Sequence, residues 1–177
     1  HLNRLKALDL DEKIKATKDP GQFISLSFNS GIEWLNAGEY NIAINRLNAI
    51  FNLIGKQNFN LPSEASYTMK EVLGMAYLRK AEIENCVQNH NEYSCIIPIE
   101  KDGQHVIRDG GEKALVIFRE LLNTQDPKWQ TKWLYNITHM TLGGYPDKVE
   151  TKFLIDDSIF KSEVPFPRFK DIAMSVG

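Results

Sequence analysis

The sequence predicts an all-α fold built from helical hairpins. Apolar residues recur at steps of three and four along most of the 177-residue chain, which is the period of amphipathic helices. Short breaks that contain Gly or Pro separate these segments. The length suits one domain with a sizeable core rather than two, so we expect a single domain over residues 1–177.

Composition and charge argue against two classes of partner. The chain has 21 Lys and Arg against 23 Asp and Glu, a net charge of -2, and this balance gives no reason to expect a nucleic acid. Its 42% hydrophobic and 25% charged residues are ordinary for a globular domain. No apolar run approaches the roughly 18 residues that span a bilayer. We therefore expect no nucleic-acid binding and no membrane insertion.

The first element is a leading helix within residues 1–20. Its apolar residues, near helical spacing, are Leu2, Leu5, Leu8 (or Ala7) and Ile14. Asp19-Pro20-Gly21 ends the helix. Residues 23–56 then form two amphipathic segments on either side of Ala37-Gly38-Glu39, which predicts a helical hairpin.

The hairpin at residues 23–56 resembles a tetratricopeptide repeat. The residues that carry the resemblance are Gly31, Trp34, Gly38-Glu39-Tyr40, Ala43, Leu47 and Ile50. In that family a small residue lets the two helices pack closely, and an aromatic residue follows it by three positions. The resemblance implies a tetratricopeptide-like array, a right-handed α-solenoid in which hairpins stack on one another.

The second repeat is interrupted by an insertion. Gly74 lies 43 residues after Gly31, whereas Ala114 lies 71 residues after Ala43, so 28 residues are added. The first-helix pattern includes Leu73-Gly74 and Tyr77, and the second-helix pattern includes Ala114, Phe118 and Leu121. We place repeat 2 at residues 64–127 and the inserted loop at residues 85–110, with both cysteines and two of the four histidines.

A partial third repeat and a tail complete the chain. Residues 128–146 contain one helix, and Gly143-Gly144-Tyr145 stands where the first repeat has Gly38-Glu39-Tyr40. Pro146 comes immediately afterwards, so no second helix is expected. Residues 147–177, whose end has two prolines, are predicted to form an extended tail or linker.

Two chemistries fit the inserted loop. Cys86 and Cys95 could form a disulfide, which would stabilise the fold by about 2–3 kcal/mol and suits an oxidising compartment. Cys86, His90, Cys95 and His105 could instead bind zinc through thiolate and imidazole. Eight residues separate the cysteines, more than the two to four or so that are usual in structural zinc sites. The spacing therefore favours the disulfide, with two free thiols as a further alternative.

The rest of the loop indicates structure rather than catalysis. Asp102-Gly103-Gln104 is a hairpin-like turn between residues 96–99 and 106–107, which predicts a short β-ribbon. Asn89 and Asn91 flank His90 and can hydrogen-bond the backbone. Neither histidine has a recognisable nucleophile or acid partner, so we expect no enzyme activity and no cofactor. Asn136-Ile137-Thr138 matches the glycosylation pattern, but it falls inside a predicted helix.

The tetratricopeptide resemblance also implies a concave groove lined by the first helices of the hairpins. Carried over by position, the groove residues are Phe28, Ile32, Leu35, Glu71, Met75, Leu78, Arg79, Trp133, Ile137 and Met140. Most of them are apolar. Such a groove either binds a protein or is filled by the inserted loop or the C-terminal tail.

A second resemblance concerns the inserted loop and the C-terminal part of the chain. Residues 84–146 and the closing PFPRFKDIA are similar to the N-terminal helical region of secreted bacterial proteins that continue into an FG-GAP (VCBS-type) β-propeller and an ASPIC/UnbV domain. The similarity runs from about Phe23 to the end. It implies a longer natural protein and a secreted, periplasmic or cell-surface location. The start at His1 also predicts that an upstream segment was removed.

The sequence thus predicts a non-catalytic, exported module for protein-protein interaction or assembly. Its partners would be other proteins or copies of itself, because exposed repeat faces stack readily. Homo-oligomerisation is therefore left open. The alternative is a metal-binding or redox module centred on Cys86, His90, Cys95 and His105.

Overall fold

The computed structural model describes residues 1–94, 96–161 and 164, and in these ranges the chain is helical with no strand. The prediction of an all-α fold is confirmed. The helices are α1 (Leu2–Ala16), α2 (Pro20–Asn36), α3 (Tyr40–Gln57), α4 (Ser63–Asn89), α5 (Asp109–Leu122) and α6 (Trp129–Thr141). Single 3₁₀ turns occur at Lys101–Gly103 and Asp157–Phe160. None of the described helices is both long and apolar enough to cross a membrane.

Each helix packs mainly on the next helix along the chain. One apolar cluster joins α2, α3 and the first half of α4, and a second joins the middle of α4, α5, α6 and the segment after α6. Leu73 of α4 belongs to the first cluster and Leu78 to the second. The 27-residue α4 is therefore the element that both clusters share.

Helices α2 and α3 meet at a glycine turn that recurs after α6. Gly38 has a φ of 81° and Gly143 a φ of 66°, values that cost glycine little. The amide of Glu39 donates to the Trp34 carbonyl at 2.9 Å, and the amide of Gly144 donates to the His139 carbonyl at 2.8 Å. These are the long-range bonds of a Schellman helix end, so the two turns have the same construction.

Two further glycines let paired helices approach closely. A Cβ on Gly31 of α2 would lie 3.0 Å from the side chain of Leu47 on α3. A Cβ on Gly74 of α4 would lie 2.5 Å from the ring of Phe118 on α5. Leu47 and Phe118 are fully buried, so neither side chain has room to move away. The α2–α3 and α4–α5 pairs thus contain the same glycine-to-large-residue contact.

Helix α1 buries a different face from the one that its leucines suggest. Leu2, Leu5 and Leu8 are 66%, 64% and 47% exposed, whereas Ala7 and Ile14 are buried. The reason lies in a charged residue, Asp11, on the inner face.

Asp11 is a buried carboxylate that fastens α1 to the next two helices. It accepts hydrogen bonds from Ser30 Oγ at 2.6 Å, Trp34 Nε1 at 3.0 Å and Arg46 Nε at 2.9 Å. Burial alone raises the pKa of Asp11, but the hydrogen bonds from Arg46, Ser30 and Trp34 outweigh it and hold the pKa below its ordinary value. A buried charge without such partners would be strongly destabilising. Helix α1 is therefore turned about its axis so that Asp11 faces the residues that donate to it.

The chain after α6 packs onto that helix in place of a second hairpin helix. Val149, Phe153 and Ile155 are buried. The fully buried Asn136 donates to the Phe153 carbonyl at 2.8 Å and accepts from the Ile155 amide at 3.0 Å. The first part of the predicted tail is thus held in the core, and the asparagine of the glycosylation pattern is inaccessible. Residues 162–163 and 165–177, which include the rest of that tail, lie outside the described residues.

We expect Gly74→Ala to lower the free energy of unfolding by about 1–2 kcal/mol, because its methyl group would overlap the immobile Phe118 ring. Gly55→Ala is the matched control, since a Cβ at Gly55 in α3 meets nothing within 4 Å. That variant should be more stable by about 0.5–1 kcal/mol, the helix propensity of Ala over Gly. Urea titration followed by circular dichroism measures both. Equal stability of the two variants would contradict the close contact.

We expect Asp11→Asn to destabilise the protein at neutral pH by about 1–3 kcal/mol, because hydrogen bonds to a charged group are lost. Since the pKa of Asp11 is lowered on folding, its contribution is present above about pH 5 and is lost as the pH falls through the lowered pKa. Unfolding measured from about pH 7 to about pH 2 should therefore decline less steeply in the variant. Asp9→Asn, at an exposed position of the same helix, should keep the parent's decline.

Candidate functional site

The inserted segment forms an irregular loop, residues 90–108, between α4 and α5. The predicted β-ribbon is absent from its described residues, where bends and the 3₁₀ turn Lys101–Gly103 occupy the chain. Two local reasons explain the difference. Pro98 has no N–H to donate to a ladder, and the amides of residues 106–107 are bonded to a side chain of α4.

That side chain is Asn85, which is buried near the end of α4. Its Oδ1 accepts from the amides of Val106 and Ile107 at 2.8 and 2.9 Å. Its Nδ2 donates to the carbonyls of Ile107 at 2.9 Å and of Ala81 at 2.8 Å. Asn85 thus forms the hydrogen bonds that the backbone of residues 106–107 would otherwise form with a neighbouring strand.

Other bonds fix the two ends of the loop. The His105 amide donates to the Thr141 carbonyl at 2.7 Å, and Arg108 Nη1 donates to the Leu142 carbonyl at 3.1 Å. At the opposite end, Asn91 Oδ1 accepts from the Tyr93 amide at 2.9 Å, and its Nδ2 donates to the Asp102 carbonyl at 2.7 Å. The loop is therefore hydrogen-bonded to the end of α6, and hydrogen bonds between its own residues hold its other end.

A cavity of about 350 Å³ lies between the loop, the second half of α4 and α6, and we call it the loop cavity. Its apolar wall consists of Ile83 on α4, Ile97 and Ile99 on the loop, and Ile137 on α6. Polar groups on the wall include Asn89, Gln104 and His105. An apolar wall with a few polar groups is typical of ligand sites, and the volume is at the lower end of their range of about 300–1,000 Å³.

A second pocket opens on the outer side of the loop, and we call it the outer pocket. It has a volume of about 330 Å³ and is lined by Tyr93, Ile96, Ile97, Pro98, Glu100 and Lys101. Ile97 lines both pockets, so the two pockets adjoin at this residue. Large apolar side chains are exposed around this region at Ile83, Val87, Ile96, Ile97 and Val106. The loop therefore presents a larger apolar surface than the sequence pattern indicated.

The predicted groove residues do not form one open surface. Arg79 and Ile137 line the loop cavity. Phe28, Ile32, Leu35 and Met75 are half-buried against the core, and Glu71, Leu78 and Met140 are buried. Trp133 packs against Phe160 of the tail, with ring centroids 5.5 Å apart. Of the predicted groove residues, Arg79 and Ile137 thus line the cavity beside the inserted loop.

Glu71 illustrates why the middle of the predicted groove is closed. Its carboxylate accepts a hydrogen bond from the Thr131 hydroxyl of α6. That hydroxyl also lies 2.7 Å from the Tyr67 hydroxyl, which accepts from the Lys128 amide at 3.0 Å. The carboxylate is used to join α4 to the start of α6.

Cys86 and the two loop histidines are placed separately. Cys86 is exposed, lines the loop cavity and has no disulfide in the described part of the chain. Cys95 lies outside the described residues, so the disulfide stays a prediction. His90 is exposed. Within the described ranges, no three His, Cys, Asp or Glu side chains gather as a metal site. The four-ligand zinc alternative, which also needs Cys95, stays untested.

His105 is a histidine of the cavity wall whose pKa is shifted. Burial first, and then the charge of Arg108, lower its pKa, so the imidazole is neutral near pH 7. Its Nδ1 is buried and has no hydrogen-bond partner among the described residues. His139, in contrast, is a core residue that packs edge-on against Tyr135 at 4.6 Å.

The chain matches no protein-family model, no curated protein and no solved structure. The tetratricopeptide and propeller-protein resemblances therefore stay expectations from the sequence.

We expect Asn85→Ala to release the end of the loop from α4. Each hydrogen bond lost by these part-buried amides is worth about 0.5–1.5 kcal/mol, so the Val106 and Ile107 amides should exchange hydrogen several-fold to about tenfold faster. Hydrogen exchange followed by mass spectrometry measures this change. Asn89→Ala is the matched control, because Asn89 is exposed. Unchanged exchange at residues 106–107 in Asn85→Ala would contradict the role of Asn85.

Proposed function

We propose that this chain is a non-catalytic protein-interaction module, in which tetratricopeptide-like hairpins carry a binding surface made by the inserted loop. The repeat assignment is supported by contacts at equivalent positions of two helix pairs. Gly31 against Leu47 and Gly74 against Phe118 are equivalent contacts, although the insertion separates the second pair more widely along the chain. The shared turn geometry at Gly38 and Gly143 supports the same assignment.

The loop cavity is the observation that carries the proposal. It combines a wall of four isoleucines with exposed apolar residues at its edge. Protein interfaces gain most of their binding energy from a few anchors that fill such pockets. A partner segment that crosses Ile97 would place one side chain in the loop cavity and another in the outer pocket.

We further propose that the protein works outside the cytoplasm, with Cys86 and Cys95 paired. Cys86 and Ser94, the residue before Cys95, line the same cavity. A disulfide there would close the loop next to the binding surface and hold its shape in an oxidising compartment. Self-assembly is a variant of the same function, with the exposed Leu2, Leu5 and Leu8 of α1 as a second apolar surface.

We expect peptides selected from a displayed random library against the protein to bind through the loop cavity. Ile97→Asp should weaken the selected peptides about tenfold or more, because it puts a carboxylate where an apolar anchor is desolvated. Val116→Asp is the matched control, since Val116 is also exposed but lies on α5. Fluorescence anisotropy gives Kd for each variant. Equal weakening by both variants, or by neither, would rule out the loop cavity as the site.

A further inference from the structure

We infer that the partner segment bound at the loop cavity carries a basic side chain next to its apolar anchor. This inference rests on the proposed function and adds the charge of the partner. Its basis is the set of charges that surround the cavity and the outer pocket, together with the ion pairs that neutralise some of them.

The sequence of the region is strongly one-sided in charge. Residues 82–100 contain four glutamates and neither Lys nor Arg. Two of the glutamates are neutralised on α4, where Arg79 lies 2.7 Å from Glu82 and Lys80 lies 2.7 Å from Glu84. The remaining two, Glu92 and Glu100, have no ion pair among the described residues, and the same holds for Asp102.

Positive charge near these carboxylates is scarce. Lys101 lies over the Tyr93 ring, 4.9 Å from its centroid. Arg108 pairs with Glu112 at 3.0 Å, and the half-buried His105 has a lowered pKa. In the loop, three carboxylates without an ion pair in the described ranges thus outnumber the one ammonium group of Lys101, and the loop carries an excess of negative charge.

All three carboxylates are exposed and belong to the loop that lines both pockets. Glu100 lines the outer pocket together with Ile97 and Lys101, and the Lys101 ammonium group lies over the Tyr93 ring rather than in an ion pair with Glu100. Asp102 directly precedes Gly103, which lines the loop cavity. A segment that inserts an apolar side chain at Ile97 would bring its neighbouring side chains near Glu100 and Asp102. A Lys or Arg at such a position gains attraction to them, whereas an acidic residue is repelled.

The same charges disfavour a second copy bound through its own loop. Two copies that met loop to loop would bring their unpaired carboxylates together, and like charges across an interface are unfavourable. We therefore assign the surface to a basic and apolar segment of another protein.

The test uses three peptides with one selected apolar anchor and two variable flanking positions, filled by Lys, Ser or Glu. Each exposed ion pair changes affinity by roughly 1.5- to 5-fold, so the Lys peptide should bind about tenfold tighter than the Glu peptide at low salt. The difference should shrink at about 1 M salt, where the screening length is about 3 Å. Fluorescence anisotropy gives the three Kd values.

A triple variant, Glu92→Gln with Glu100→Gln and Asp102→Asn, should bind the three peptides almost equally, because no carboxylate is left to attract Lys or to repel Glu. The matched control, Glu12→Gln with Asp126→Asn and Asp147→Asn, changes the net charge equally at exposed positions outside residues 82–108. It should keep the preference for Lys. Circular dichroism verifies that both variants are folded.

The outcomes separate the two proposals. If the three peptides bind equally to the parent protein, the inference about charge is wrong and the proposed binding surface stands. If the peptides do not bind, or bind independently of Ile97, the proposed function itself fails. Light scattering adds a further outcome, because a concentration-dependent oligomer that Ile97→Asp dissolves would identify a second copy as the occupant and overturn the inference.

Discussion

The close approach of helices at Gly31 and Gly74 is the constraint on which the rest of the structure depends. Leu47 and Phe118 fill the space that a side chain on either glycine would need. The approach brings α3 onto α2 and α5 onto α4, and α4 then shares its surface between two apolar clusters. With α4 packed into both clusters, its second half is held where the inserted loop bonds to it through Asn85.

Buried polar side chains attach the parts of the chain that are not helical hairpins. Asp11 holds α1, Asn85 holds the inserted loop, and Asn136 holds the segment after α6. The two asparagines act alike, since each donates to the carbonyl four residues earlier and also bonds a passing backbone segment. Such groups are costly when unpaired, so each one also fixes the position of the segment that it bonds.

The regular part of this fold could be predicted from the sequence, because helical periodicity and glycine spacing are local patterns. Residues 2–16 were expected to be helical and are, and the break at residues 37–39 falls between α2 and α3. The rotation of α1 could not be predicted, since it depends on three hydrogen bonds to Asp11 from residues 19 to 35 positions away. The candidate site was predicted only in part. Arg79 and Ile137 were expected at a groove and line the loop cavity, whereas Asn85 gave no signal because it was placed at the start of the inserted loop, where Asn is common.

The attachment of the loop has a consequence for the order of folding. Contacts between helices that are neighbours in sequence form quickly, while contacts that close long stretches of chain form slowly. His105 and Arg108 reach their partners at the end of α6 across 36 and 34 residues. Both partners lie at the C-terminal end of α6, so we expect the loop to be fastened only after α6 has packed against α5.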